Sequence, residues 1–150
     1  MKWMLFVVVA IVAVAAIVAI VGAMLPRNHV ASRTLATTKA PAEIWALVSN
    51  PAFSKAATEQ DVAVETIESI PPRKLVTKIA DPNQPFGGTW TFAIAPAASG
   101  STLTITEEGW VSNPIFRFVS RFVMGHHYTM DTYLKNVAKA LNQTPALSGE

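Results

Sequence analysis

Glu107 is the acid in this chain whose setting is most suggestive of chemistry, because strand alternation would place its carboxylate on the same face as Leu103 and Ile105. In an apolar pocket, desolvation would raise the pKa of such a carboxyl and make it a hydrogen-bond donor or a general base toward a carbonyl-bearing ligand. Beside Glu108 and Gly109 at a strand end, it would instead simply reach water. Two imidazoles and a carboxylate also fall close together, at His126, His127 and Asp131. Adjacent histidines on a helix point about 100° apart, so they do not converge on one ion, and no third ligand is spaced for it. No metal is expected there; solvent at a kinked helix, or a membrane surface, is the expected neighbour. Gly87-Gly88 follows a loop and opens a strand, the wrong context for a phosphate cradle, and is expected to be a turn. No Ser-His-Asp arrangement is recognisable, no catalytic residue is assigned, and no cofactor is implied. The absence of cysteine excludes disulfides, thiolate catalysis and Cys-ligated metal sites.

The elements that would position these residues begin with an apolar run. Trp3 to Leu25 has no charged, amide or hydroxyl side chain. As a helix at about 1.5 Å per residue it would reach about 35 Å, enough to cross a hydrocarbon core of about 30 Å with some tilt. Val21 and Ala23 would suit a signal-peptide cut, but the run exceeds an ordinary signal h-region and continues through Met24 and Leu25. A core helix in a small domain would be half-exposed and would need a polar stripe that this segment lacks. A retained single-pass anchor over residues 1–26 is therefore expected, with Trp3 at one membrane border and Pro26-Arg27 at the other. Lys2 on one side and Arg27, Arg33 and Lys39 on the other leave the side of the soluble part undecided.

Residues 27–32 are expected to be a juxtamembrane linker, 33–142 one domain, and 143–150 a flexible tail. Without Lys2 this part carries 11 Lys and Arg against 10 Asp and Glu, with the signs interspersed. A phosphate-neutralising surface needs a clustered basic excess, so nucleic acid is not an expected partner.

Within the domain, Arg33 to Thr38 suits a strand, and Pro41 to Ser49 a helix with Ile44, Trp45 and Val48 as its buried stripe. Pro51 to Ala57 would add a helical turn. Four strand-like segments follow, Val62 to Ile70, Lys74 to Ala80, Gly88 to Ala95 and Ser101 to Val111, with proline, glycine and aspartate between them. Short connections predict an antiparallel meander. Trp90, Phe92 and Ile94 share one face of the third segment, as Leu103, Ile105 and Glu107 share one face of the fourth. Asn113-Pro114 starts a helix. Its stripe of Ile115, Phe118, Val119 and Phe122 resumes after a kink at Gly125 as Met130, Tyr133, Leu134, Val137 and Leu141, predicting one long C-terminal helix that roofs the sheet.

The stretches LPRNHVASRT, APAEIWALVSN, PPRKLVTKIADPNQPFGGTWTF, LTITEEGWVSNPIFRFVSRFVMG and DTYLKNVAKAL, in this order and spacing over most of residues 25–141, resemble the SRPBCC superfamily. This is the group of START-like and polyketide cyclase/dehydrase-like proteins, and the likeness is to its membrane-anchored bacterial form. The resemblance implies an α+β helix-grip fold, an antiparallel sheet packed on a long C-terminal helix, and an apolar cavity between them. Less chain precedes the proline turn than is usual in that group, so a sheet of about five strands is expected rather than seven. The implied pocket wall is Trp90, Phe92, Ile94, Leu103, Ile105, Tyr133 and Val137, with Glu107 as its polar member. The implied function is non-catalytic binding of a hydrophobic small molecule or lipid beside the membrane. The alternatives are a cyclase- or aromatase-like enzyme, in which Glu107 or Tyr133 does acid–base work on a polyketide-like ketone, and a degenerate structural or interaction module.

Overall fold

The computed structural model describes residues 2–149. Helix α1 (Lys2–Met24) is long and apolar enough to cross a membrane, and the apolar window that qualifies it is not buried against the rest of the chain. Only toward its end does α1 touch protein: Val18, Ala19 and Val21 are half-buried and Gly22 is buried.

The chain then forms β1 (Asn28–Thr37), α2 (Pro41–Val48), α3 (Pro51–Thr58), β2 (Val64–Ile70), β3 (Lys74–Ile79), β4 (Phe86–Ala97) and β5 (Gly100–Val111). After these come α4 (Pro114–Val119), a π-helical turn (Ser120–Met124), α5 (Tyr128–Ala140) and β6 (Ala146–Ser148). The sheet order is β2-β3-β4-β5-β1-β6, antiparallel at every pairing. The meander therefore holds, with β1 returning to lie beside β5 from Asn28↔Trp110 to Thr37↔Ser101. The expected cap at Asn113 forms, its Oδ1 accepting from Ile115 at 2.9 Å and Phe116 at 3.2 Å, and Asn50 caps α3 in the same way, its Oδ1 accepting from the amide of Ala52 at 3.0 Å.

Four expectations change. The sheet has six strands rather than five, because Ala146–Ser148, in the tail expected to be flexible, pairs with Thr34–Ala36. Residues 27–32 are not a linker: all but Arg27 belong to β1, where each finds a ladder partner on β5. Gly87-Gly88 is not a turn but the start of β4, paired with Trp110 and Gly109. The long C-terminal helix is also absent. The segment after Asn113 is interrupted at Gly125, whose φ of 76° and ψ of 151° no helix accommodates, and only the 13 residues of α5 cover the sheet. The break has a physical cause: α4 packs along α1, α5 packs on α3 and the sheet, and one straight rod cannot serve both.

The core is continuous at one end of the concave face. Ile44 and Val48 of α2, Leu35, Ile94, Leu103 and Ile105 of the sheet, and Met130, Leu134 and Val137 of α5 are almost wholly removed from water. Arg33 faces the same layer and is neutralised by Asp131, Nε donating to Oδ1 at 2.9 Å.

Candidate functional site: an apolar cavity with a polar rim

Register decides where the core stops. Ile94 lies opposite Leu103, Phe92 opposite Ile105, Trp90 opposite Glu107, and Gly88 opposite Gly109. Opposed residues share a face, so the inner surface runs from branched aliphatics through aromatics to bare backbone. Toward the glycine end the closely packed aliphatic side chains give out, and a cavity of about 290 Å³ remains. Its walls come from the start of β1, from α3, β2, β3, β4, β5, the segment from Phe116 to His126, and the start of α5.

Of the residues expected to line a pocket, Trp90, Phe92, Glu107 and Tyr133 do so. Ile94, Leu103, Ile105 and Val137 do not; they lie one or two rungs deeper, in solid core, because α2 and α5 close over that part of the sheet. The wall also contains residues the sequence did not single out as pocket: His29, Ser54, Val62, Thr77, Phe86 and Phe116 among them. Alternation through His29, Ala31, Arg33 and Leu35 was the signal that would have found His29.

Tyr133 forms the floor. Its ring meets Trp90 edge-on at 5.8 Å between centroids and lies 5.4 Å from Phe92 and 6.3 Å from Phe53. Ser54 Oγ donates to the Val48 carbonyl at 3.0 Å and is 3.1 Å from Tyr133 Oη. With the serine proton so committed, the phenol is the donor to Ser54. Burial pushes the Tyr133 hydroxyl up to about 12, only partly opposed by the Ser54 bond. It is a fixed donor at neutral pH, not an acid.

The rim is polar. His29 Nε2 donates to Glu107 Oε1 at 3.1 Å, with side-chain exposures of 15% and 22%. Glu107 is thus neither stranded in an apolar pocket nor free in water; it is held by an imidazole. Gly109 makes this possible: a Cβ there would sit 2.6 Å from the His29 ring and 3.0 Å from the Glu107 carboxylate. The ring of His126 stacks on His29 at 4.3 Å and 17°. Burial, then the neighbouring His29 and Arg121, hold the His126 imidazole below its ordinary value, so it is neutral at pH 7. His127 and Asp131 do not join this group. His127 Nε2 is buried without a partner, and Asp131 is taken by Arg33. Among the described residues no three histidine or acidic side chains converge on a metal position. The arrangement offers an apolar wall, one fixed donor at the floor, and at the mouth a carboxylate–imidazole pair able to accept a proton.

No protein-family model matches the chain, and no curated protein matches it. Solved structures do. A conserved protein from Geobacillus kaustophilus superposes with a TM-score of 0.65 at 11% identity, covering 79% of this chain and 99% of the other. A protein from Mesorhizobium loti gives 0.57 at 13%, covering 77% and 97%. The di-domain aromatase/cyclase StfQ of the steffimycin biosynthetic pathway gives 0.54 at 12%, covering 74% of this chain and 50% of that one. At such identities the likeness is one of fold alone: an α+β architecture shared with bacterial proteins, a polyketide aromatase/cyclase among them.

Proposed function

We propose that this chain is a membrane-anchored, START-like helix-grip protein that binds a hydrophobic small molecule or lipid without transforming it, with α1 retained as the anchor. The observation that carries the reading is the cavity: about 290 Å³, close to the lower bound for small-molecule sites, with a wall surface that is mainly apolar although polar side chains such as Lys55, Thr77, Lys78 and Glu107 also border it. Burying apolar ligand surface there would supply affinity, and the Tyr133 hydroxyl and the His29–Glu107 pair would orient a polar end. The fold shared with an aromatase/cyclase domain is compatible with ligand binding in this place.

Native mass spectrometry of the full chain, purified in mild detergent, tests it. An apolar adduct is expected on the native chain and on Ile67→Trp, which alters an exposed position, and its loss is expected in Thr77→Trp, which fills the cavity. No adduct, or the same adduct in all three, contradicts the reading.

A second reading draws on the rim. A carboxylate–imidazole pair beside a neutral second imidazole is suited to removing a proton next to a ketone, the chemistry of a cyclase-like enzyme acting on a polyketide-like substrate. It differs from the first in one outcome: Glu107→Gln would abolish turnover of such a substrate.

A further inference from the structure

The segment after Asn113 is anchored to α1 rather than to the domain core. A Cβ on Gly22 would collide with the Pro114 backbone, so the two helices meet at backbone contact there. Arg117, itself buried, donates from Nη1 to the Leu25 carbonyl at 2.7 Å and so ties α4 to the end of α1. The half-buried part of α1 begins at Val18. From Val18 to Leu25 is about 10 Å of helix at 1.5 Å per residue, so α4 lies alongside the last two turns of the apolar run rather than beyond it.

On the side turned away from α1 this segment is apolar and uncovered. Ile115, Phe116, Phe122, Val123 and Met124 are 50–71% exposed, a grouping that a water-facing surface rarely carries. Trp110 and Tyr128, both exposed, flank it, the residue types that favour a membrane–water boundary. The exposed Arg121 supplies a cation for lipid phosphate.

We infer that α4 and the π-helical turn are a second membrane-contacting element, seated in the interfacial layer of the bilayer beside α1. A helix lying in the interface sinks about 5–10 Å, which matches the depth set by the α1 contact. The inference rests on α1 being a retained anchor. It deepens the proposed function, because Phe116, Ser120 and Met124 also wall the cavity. An apolar ligand then passes from the bilayer into the cavity beside this segment without crossing water.

The chain has no cysteine, so single labels can be placed cleanly. The full chain is reconstituted in phosphatidylethanolamine–phosphatidylglycerol vesicles with an environment-sensitive fluorophore on Val12→Cys, Phe122→Cys, Val123→Cys or Ala98→Cys. Ala98 lies in the β4–β5 turn at the far end of the sheet. The expected result is a blue shift, and quenching by nitroxide lipids, at positions 12, 122 and 123 but not at 98. Quenching at 12 with water-like emission at 122 and 123 overturns the interfacial seat while leaving the anchor in place. Labels at 122 and 123 that are shielded from water yet unquenched by lipid report a second protein copy on the patch and also overturn it. Loss of quenching at 12 removes the anchor, and this inference with it.

Discussion

Replacing Tyr133 with phenylalanine removes one oxygen from the floor of the cavity and changes little else. The ring keeps its contacts with Trp90, Phe92 and Phe53, and Ser54 Oγ keeps its bond to the Val48 carbonyl. The loss at neutral pH is then one hydrogen bond, about 1 kcal/mol. Alkali reverses the comparison. The phenol is raised to about 12 in the folded chain from an ordinary value of 10.0, so the stability tied to its proton is fully present below pH 10 and is lost as pH rises through 12. A shift of about two pH units at about 1.4 kcal/mol each amounts to a loss of about 3 kcal/mol. The native chain is therefore expected to be more stable than Tyr133→Phe below pH 10, equal to it near about pH 11, and less stable above that. Paired urea titrations of the two full chains in the same detergent, at a series of pH values, measure this; other titrating groups cancel in the difference. A difference that stays constant from neutral pH to pH 12 would refute the placement of the hydroxyl in a dry floor.

Other outcomes follow from the rim and the cap. Protonation of His126 is resisted by burial, His29 and Arg121 more than Glu107 favours it, so the contribution of this ring is present above its ordinary pKa and is lost as pH falls below it. Melting profiles between pH 5 and 7.5 should fall less steeply on the acid side for His126→Gln than for the native chain; parallel profiles would contradict this. Gly109→Ala pushes the His29 ring off Glu107 and should cost about 1–3 kcal/mol by overpacking, read by thermal melting and by a change in the His29 imidazole resonances. Glu107→Gln should leave the apolar adduct in native mass spectra unchanged, since it alters only the rim; its disappearance would move recognition to the polar end. Asn113→Ala removes the acceptor for two helix-start amides and should cost about 1 kcal/mol in chemical melts; an unchanged midpoint would contradict this.

Much of this architecture was legible in the residues, and what was not had physical reasons. The meander was readable because Trp90, Phe92 and Ile94 alternate against Leu103, Ile105 and Glu107, and register then made them neighbours. Periodicity alone says that a residue faces inward, not whether a helix covers it. That is why Ile94 and Leu103, with the same pattern as Trp90, belong to packed core and not to the cavity. His29 was hidden because a strand immediately after an apolar helix looks like a linker when its partner is about 80 residues away. Spacing predicts an unbroken helix beyond Asn113, but α4 packs mainly along α1, and Phe122, against Phe118, is exposed. Spacing does not say which neighbour an apolar stripe has.

The most direct test of a lipid-side receptor is a photoreactive diazirine fatty acid incorporated in the vesicle bilayer with the full chain, followed by peptide mapping of the crosslinks. The account predicts crosslinks on Phe86 and Trp90 within the cavity in addition to those on α1 and on the exposed face of α4 and the π-helical turn, with the Phe86 and Trp90 sites alone disappearing in Thr77→Trp. Crosslinks confined to α1 and that exposed face would mean that lipid never enters, and the proposed binding role would fall.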